Sequence, residues 1–127
     1  MFSHVMLGAD DLDVSRGFYD ATLGVLGVPA GKRDDMGRVF WMTQHGVFAI
    51  TKPINGQPAS CGNGTTVGFA AASPHEADAW YQAGIENGGT PCEDPPGVRD
   101  LSIGKLYLAY LRDPAGNKIC ALNRVRS

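Results

Sequence analysis

The chain has 127 residues, of which 43% are hydrophobic and 19% are charged, the size and balance of one globular domain. Its net charge of −2, without a cluster of Lys or Arg, excludes electrostatic nucleic-acid binding and a polybasic membrane anchor. No apolar run approaches the ~20 residues that span a bilayer, and we expect no secretory signal. Three scattered cysteines are typical of reduced thiols, so we expect a cytoplasmic protein.

The first half of the chain has the pattern of a strand, a helix and a strand hairpin. Asp10 and Asp11 stand where a helix cap is needed, and Gly27 stands where that helix should end. Apolar residues follow two stripes of the helix, so we expect two of its faces to be covered. The turn between the last two strands falls at His45–Gly46. The predicted elements are strands at 2–8, 38–43 and 47–52 and a helix at 12–26.

The second half has the same order of elements. Ser73, Pro74 and Glu76 form a strong helix start, with a cap, a first-turn proline and an acidic residue three positions after the cap. Gly88–Gly89 ends this helix, and the turn of the final hairpin lies at residues 113–117. The predicted strands are 65–72, 106–112 and 118–122.

The two halves are also similar residue by residue. A shift of 62 positions overlays residues 4–28 on 66–90 without a gap, and five of these 25 positions are identical. The same overlay aligns the helix cap, the aromatic–Tyr pair and the glycine that ends the helix in both halves. This agreement in one register indicates a duplication. The identical pairs are Val5/Val67, Ala9/Ala71, Tyr19/Tyr81, Ala21/Ala83 and Gly27/Gly89.

Each repeat is a βαβββ unit, which exposes one sheet face that it cannot bury alone. Repeat one covers about residues 1–53 and repeat two about 64–125, within a single domain over 1–127. We predict an α+β fold in which the tandem repeats form a curved, mostly antiparallel eight-stranded sheet around a cavity, with the helices outside. Such a cavity is a binding site by its geometry.

Several segments carry a resemblance to a known family. They are Phe18-Tyr19 with Leu23 in the first helix, GTTVGFAAAS at 64–73, NGGT at 87–90 and YLAYLRDPAGNKI at 107–119. With the paired repeat, the chain resembles the vicinal oxygen chelate superfamily, which contains glyoxalase I, bleomycin-resistance proteins and extradiol dioxygenases. The resemblance covers nearly the whole chain. It implies a small-molecule ligand and a homodimer, and it gives no indication of a nucleic-acid or membrane partner.

The resemblance also implies where a metal would bind. Enzymes of this superfamily hold a divalent metal through His and Glu side chains, and the four positions fall on His4, Ala49, Thr66 and Cys120. Only His4 is a family-type ligand, whereas Cys120 offers a thiol, Thr66 a hydroxyl and Ala49 nothing. A catalytic divalent metal normally has three or more protein ligands, so we expect no cofactor. A bound metal would need a ligand from another residue or from a partner chain.

His4 and Cys120 each have two interpretations. Alternation puts Phe2, His4 and Met6 on the cavity face, where His4 would act as a general base or a hydrogen-bond donor. The alternative is a hydrogen-bonded core histidine. Cys120 is either a small buried residue or, beside His4, a candidate nucleophile.

Aromatic side chains and one arginine complete the candidate ligand-binding residues. Pleating turns about half of the strand aromatics inward, as a cage for a planar ligand or as packing under the helices. Arg99, in the connection PPGVRD, is either a clamp for a carboxylate or phosphate or a brace for that loop. We expect His45 and His75 to be solvated. The aromatic residues on strands that would wall the cavity are Phe40, Trp41, Phe48, Tyr107 and Tyr110.

Two classes of function follow. In the first, the chain is a glyoxalase-family protein with a depleted metal site, which binds a small organic molecule in the sheet cavity. Conversion of that molecule by the protein is a further possibility within this class. The alternative is a divalent-metal-dependent glyoxalase-like lyase or dioxygenase, whose chemistry needs metal ligands that this sequence lacks.

Overall fold

The computed structural model describes residues 1–125, which form two α-helices and two β-sheets. The helices of this part of the chain are α1 (Leu12–Val25) and α2 (Pro74–Glu86), and neither has the length and apolar character needed to cross a membrane. Its nine strands are β1 (His4–Gly8), β2 (Lys32–Arg33), β3 (Val39–Thr43), β4 (Gly46–Thr51), β5 (Val67–Ala70), β6 (Thr90–Pro91), β7 (Gly97–Leu101), β8 (Gly104–Arg112) and β9 (Lys118–Arg124).

Both helices begin where the sequence predicts. The Asp11 side chain accepts a hydrogen bond from the Val14 backbone N–H at 3.1 Å, and the Ser73 hydroxyl accepts one from the Glu76 N–H at 3.0 Å. Each helix start therefore has a side-chain cap for its otherwise unpaired N–H groups. Gly27, with φ of 85°, follows α1 in the left-handed conformation that a glycine adopts without strain.

The strand order confirms the tandem α+β fold. The first sheet has the order β1-β4-β3-β2, and the second has β5-β9-β8-β6 with β7 also paired to β8. Five of the seven strand pairs are antiparallel, as predicted, and the pairs β1–β4 and β5–β9 are parallel. Residues 1–125 contain nine strands rather than the predicted eight. Within those residues no hydrogen-bonded strand pair joins the two sheets, so β1 and β5 are each an edge strand.

The two sheets share one register. In the first, Ala49 lies between Met6 and Phe40. In the second, Cys120 lies between Gly68 and Tyr110. The shift of 62 positions carries Met6 onto Gly68, so Ala49 and Cys120 occupy equivalent places.

One buried core joins the two repeats. The Tyr19 ring of α1 contacts Phe48 of the first sheet, with ring centroids 4.6 Å apart, and lies 6.5 Å from Phe69 of the second. α1 also packs against α2 at Gly84, where an added Cβ would lie 3.3 Å from the Phe18 ring. The second covered face of α1 is therefore covered by α2 of the same chain.

The turn after β8 connects the second repeat to the first through hydrogen bonds. The Tyr19 hydroxyl donates to Asp113 Oδ2 at 2.5 Å, and Asn117 Nδ2 donates to the same oxygen at 3.0 Å and to the Gly8 carbonyl at 2.9 Å. Asp113 is buried, and its Oδ1 accepts the Asn117 and Ala115 N–H groups. Burial, together with the charge and hydrogen bond of Asp113, raises the pKa of Tyr19 well above its usual value.

Candidate functional site

A cavity of about 400 Å³ opens between the free edges of β1 and β5, within the size range of ligand pockets. Its floor is apolar because it reaches the aromatic core between the repeats. Trp41 and Phe48 of the first sheet and Phe69 of the second contribute their rings. The Trp41–Phe48 and Phe48–Phe69 ring centroids are 5.7 and 5.2 Å apart, so the rings form a continuous surface. The aliphatic residues that line the cavity with them are Val5, Leu23, Val28, Val47 and Val67.

Polar side chains line the cavity where the first sheet meets it. His4, at the start of β1, is exposed, and its Nδ1 lies 2.8 Å from the Ser3 hydroxyl. Thr43 and His45 line the same cavity from the β3–β4 turn. The Thr43 hydroxyl donates to the Gly46 carbonyl at 2.9 Å and accepts the His45 N–H at 3.1 Å, which fixes the turn that carries His45.

Within residues 1–125, the side chains that line the cavity carry no fixed charge. The chain has 11 basic and 13 acidic side chains besides its three histidines, yet within residues 1–125 none of those 24 lines this cavity. An adjoining hollow of about 550 Å³ shares Leu23, Thr43 and His45 with it, and its lining in the same part of the chain is also uncharged. A ligand in this cavity would therefore contact apolar surface and the imidazole rings of His4 and His45.

The four positions of the family metal site lie elsewhere, apart from His4. Ala49 is fully buried, Thr66 is exposed immediately before β5, and Cys120 is 5% exposed within an apolar cluster on the sheet face opposite the helices. Burial raises the pKa of Cys120 to about 11, although Lys118 partly offsets the effect. The thiol therefore stays protonated at neutral pH, which makes it a poor metal ligand and a poor nucleophile.

These donors do not fit a divalent metal held by this chain alone. A methyl group, a neutral hydroxyl and a protonated thiol leave the His4 imidazole as the one good ligand of the four. Nor do residues 1–125 bring together three or more His, Cys, Asp or Glu side chains in a group that could hold a metal.

The aromatic residues predicted to line the cavity lie in three different places. Trp41 lines the cavity although it is 1% exposed, and its indole N–H donates to Asp20 Oδ1 at 2.9 Å. Tyr107 instead faces α2, where its hydroxyl donates to Asp78 Oδ1 at 2.6 Å and the pKa of the phenol is raised by that bond. Tyr110 lies in the cluster around Cys120, on the face opposite the helices.

Arg99 requires a correction. Its sequence context predicts a connection, but residues 97–101 form β7, paired with β8. Its guanidinium donates to the backbone carbonyls of Gly97, Asp94 and Pro95 at 3.1, 3.0 and 3.1 Å. Three of its donor positions are thus used by the chain itself, which favours a brace over a carboxylate clamp.

His45 and Phe69 line the cavity but are absent from the residues predicted to do so. A histidine in a hairpin turn is expected to be solvated, and His45 is indeed exposed. Its turn nevertheless lies beside β5 of the other repeat, whose Phe69 and Ala70 line the same two hollows. Only the relative placement of the two repeats reveals this, and no local pattern encodes it.

Comparison with known proteins gives a family match. The model of the Glyoxalase/Bleomycin resistance protein/Dioxygenase superfamily matches residues 1–121. Among functionally curated proteins, the comparison found no match.

The solved structures that resemble this chain include a relative at high identity and others at low identity. A glyoxalase/bleomycin resistance protein from Albidiferax ferrireducens T118 is 63% identical over 98% of this chain and 99% of that chain, with a TM-score of 0.95. A glyoxalase-related enzyme from Fulvimarina pelagi is 18% identical, covering 98% and 88% of the two chains, with a TM-score of 0.75. A lactoylglutathione lyase from Agrobacterium tumefaciens is 24% identical, covering 97% and 92%, with a TM-score of 0.65. The last two show a shared fold alone.

Proposed function

Because the chain belongs to the glyoxalase/bleomycin resistance protein/dioxygenase superfamily, we propose that it binds a small, partly aromatic organic molecule between its two repeats, without a metal cofactor. The observation that carries this proposal is the cavity floor, where rings from both repeats line one space of about 400 Å³. An aromatic ligand would bury apolar surface against these rings and gain edge and face contacts with them.

The chemistry of the donor set separates this proposal from the metal-dependent enzyme. Metal-assisted lyase and dioxygenase reactions need a metal with several protein ligands and an open position. Of the four family positions, His4 alone supplies a good ligand. A metal-free conversion of the bound molecule would use His4 as its base or proton donor, because Cys120 is a protonated thiol. Loss of turnover in a folded His4→Ala variant would identify such a conversion.

A blocked cavity tests the binding proposal. Ala70 is exposed and lines the cavity, so Ala70→Phe should fill the space with little effect on folding. We expect calorimetric titration with 2-naphthol to give binding to the native protein and at least about ten-fold weaker binding to Ala70→Phe. Ala72→Phe is the matched control, since Ala72 is also exposed but lies outside the cavity lining. Equal binding by all three proteins would overturn the proposal.

Elemental analysis tests whether the protein binds a divalent metal ion. Protein purified without chelator or added metal should carry far less than one divalent ion per chain. A stoichiometric ion that is lost in His4→Ala would overturn the metal-depleted interpretation and favour the enzyme alternative.

We also propose a homodimer. Met6 and Met42 lie on the face of the first sheet opposite the helices and are 36% and 59% exposed, an apolar surface that a second copy would cover. Light scattering should give twice the chain mass, and Met42→Lys should shift the protein toward monomer. Ile54→Lys is the control, since Ile54 is an exposed loop residue. A native monomer at all concentrations would contradict the dimer.

The cytoplasm is the proposed location. Cys61, Cys92 and Cys120 are all free in the structure, as expected in a reducing compartment. We further propose that residues 1–127 act as one domain, because the aromatic core is shared by both repeats.

A further inference from the structure

The floor and the mouth of the cavity differ in what they offer a ligand. The indole N–H of Trp41 already donates to Asp20, so Trp41 presents apolar ring surface rather than a hydrogen bond. Phe48 and Phe69 add two more rings. The floor therefore favours the flat, apolar part of a molecule, and any polar group of that molecule must lie toward the mouth.

The mouth of the cavity, where its polar side chains lie, contains the imidazole rings of His4 and His45. The Ser3 hydroxyl is within hydrogen-bond distance of His4 Nδ1, which leaves Nε2 as the ring nitrogen that can meet a ligand. His45 stands on the turn that the Thr43 hydroxyl holds. Since that hydroxyl already donates to Gly46, the imidazole N–H groups are the donors that remain among the polar side chains of this lining.

The absence of fixed charge on the lining side chains of residues 1–125 limits the class of ligand further. No carboxylate in residues 1–125 lines the cavity, so an anionic group would meet no repulsion from its walls. No Lys or Arg of those residues lines it either, so a phosphate or another multiply charged group would enter without a basic side chain of fixed charge to pair with. A single carboxylate matches two imidazole donors, because hydrogen bonds to a charged acceptor are the stronger ones.

Resting on the proposed function, we propose that the ligand is an aromatic monocarboxylate. Its ring lies on the floor against Trp41 and Phe69. Its carboxylate accepts hydrogen bonds at the mouth from His4 and His45. This assigns a ligand-binding role to His45, and it does not depend on a metal.

The two tryptophans provide an internal control for the test. Trp41 lines the cavity, whereas Trp80 is fully buried in α2 and lies outside the lining. Their indole N–H signals can be followed separately in a ¹H–¹⁵N spectrum and assigned with Trp41→Phe. We expect 2-naphthoate and its uncharged analogue 2-naphthamide to shift the Trp41 signal and leave the Trp80 signal in place.

The carboxylate preference is the quantity that tests the inference. We expect 2-naphthoate to bind about ten-fold more tightly than 2-naphthamide, the equivalent of one charge-assisted hydrogen bond. His4→Ala and His45→Ala should each remove most of this preference while 2-naphthamide binding persists. His75→Ala is the matched control, since His75 is exposed at the start of α2 and outside the cavity.

The outcomes distinguish the two proposals. Equal affinity for the carboxylate and the amide, with the Trp41 signal shifted by both, would overturn the monocarboxylate inference and leave the proposed function standing. Tighter binding of 2-naphthyl phosphate than of 2-naphthoate would also overturn it. No shift of the Trp41 signal with any of these probes would contradict both proposals.

Discussion

Equivalent turns of the two repeats have opposite roles. The β8–β9 turn of the second repeat is buried at Asp113 and Asn117 and bonds to Tyr19 and Gly8 of the first repeat. The β3–β4 turn of the first repeat is exposed at His45 and borders the cavity. One copy of the turn thus joins the repeats, and the other leaves an opening between them.

The same divergence occurs at other equivalent positions. Tyr19 is fully buried, whereas its counterpart Tyr81 is half-buried. Ala49 and Cys120 share a register position but differ in side-chain chemistry. The backbone register survives in both copies because each sheet must bury one face. Burial and chemistry differ because they depend on what the other copy places against each residue.

Removal of the Asp113 carboxylate should have the largest effect. Asp113→Ala removes acceptors for the Tyr19 hydroxyl, the Asn117 side chain and the backbone N–H groups of Ala115 and Asn117. Leaving buried donors without partners costs free energy, so we expect a loss of about 3 to 5 kcal/mol in the free energy of unfolding. Urea denaturation measures it.

The other turn provides the comparison for this variant. His45→Ala should change the free energy of unfolding by less than about 0.5 kcal/mol, because the side chain is exposed. Asp35→Ala, at an aspartate that is exposed in a different turn, controls for loss of a charge. Similar losses for Asp113→Ala and Asp35→Ala would mean that the buried turn does not fasten the repeats.

A substitution at the contact between α1 and α2 should have the next largest effect on stability. At Gly84 an added Cβ would overlap Leu111 Cδ1 and lie 3.4 Å from Thr22 Cγ2, so Gly84→Ala must displace packed core atoms. We expect a loss of about 2 kcal/mol. In α1, nothing lies within 4 Å of a Cβ at Gly17, whose counterpart in the second repeat is Ala79. Gly17→Ala should instead raise stability by up to about 1 kcal/mol, through helix propensity.

Thermal denaturation of both glycine variants measures the difference. Equal changes at Gly17 and Gly84 would indicate that the contact between α1 and α2 is looser than the structure describes.

The Tyr19 hydroxyl should have a smaller effect at neutral pH and a distinct one in alkali. Tyr19→Phe removes one hydrogen bond to Asp113, at a cost of about 1 kcal/mol, whereas Tyr81→Phe should cost almost nothing. Because the folded-state pKa of Tyr19 is raised, its stabilising effect is present in full below the unfolded pKa of about 10 and is lost as the pH rises above it.

The alkaline limb of the stability curve is the readout for this pair. Between pH 10 and the raised pKa, Tyr19 should contribute a fall of about 1.4 kcal/mol per pH unit, which Tyr19→Phe removes and Tyr81→Phe retains. Parallel alkaline limbs in the native protein and Tyr19→Phe would contradict the buried phenol.

The smallest effect is expected at Cys120. Cys120→Ala makes the second repeat match Ala49 of the first and removes only a protonated thiol from an apolar cluster. We expect a change below about 1 kcal/mol in stability and no change in affinity for 2-naphthol. A loss of ligand binding, measured by the same calorimetric titration, would restore Cys120 as a site residue.

Much of the fold follows from local patterns in the sequence. The Ser73 cap and the 106–112 and 118–122 hairpin appear as predicted, because caps, turns and alternation act over a few residues. β7 was missed because PPGVRD reads as a turn-rich loop, and its pairing with β8 is a tertiary contact.

The site was less predictable than the fold. His4 and Trp41 line the cavity, but Tyr107 bonds to Asp78 of α2 and Arg99 bonds to backbone carbonyls of residues 94–97. Alternation gives the face on which a strand residue lies, yet it does not say where two sheets separate. His45 depends on that separation, and for this reason no pattern pointed to it.

A crystal structure of the protein with bound 2-naphthol would test the central claim most directly. We predict a flat density between the free edges of β1 and β5, against Trp41 and Phe69. Density on the opposite sheet faces, beside Ala49 and Cys120 at the family metal positions, would contradict it.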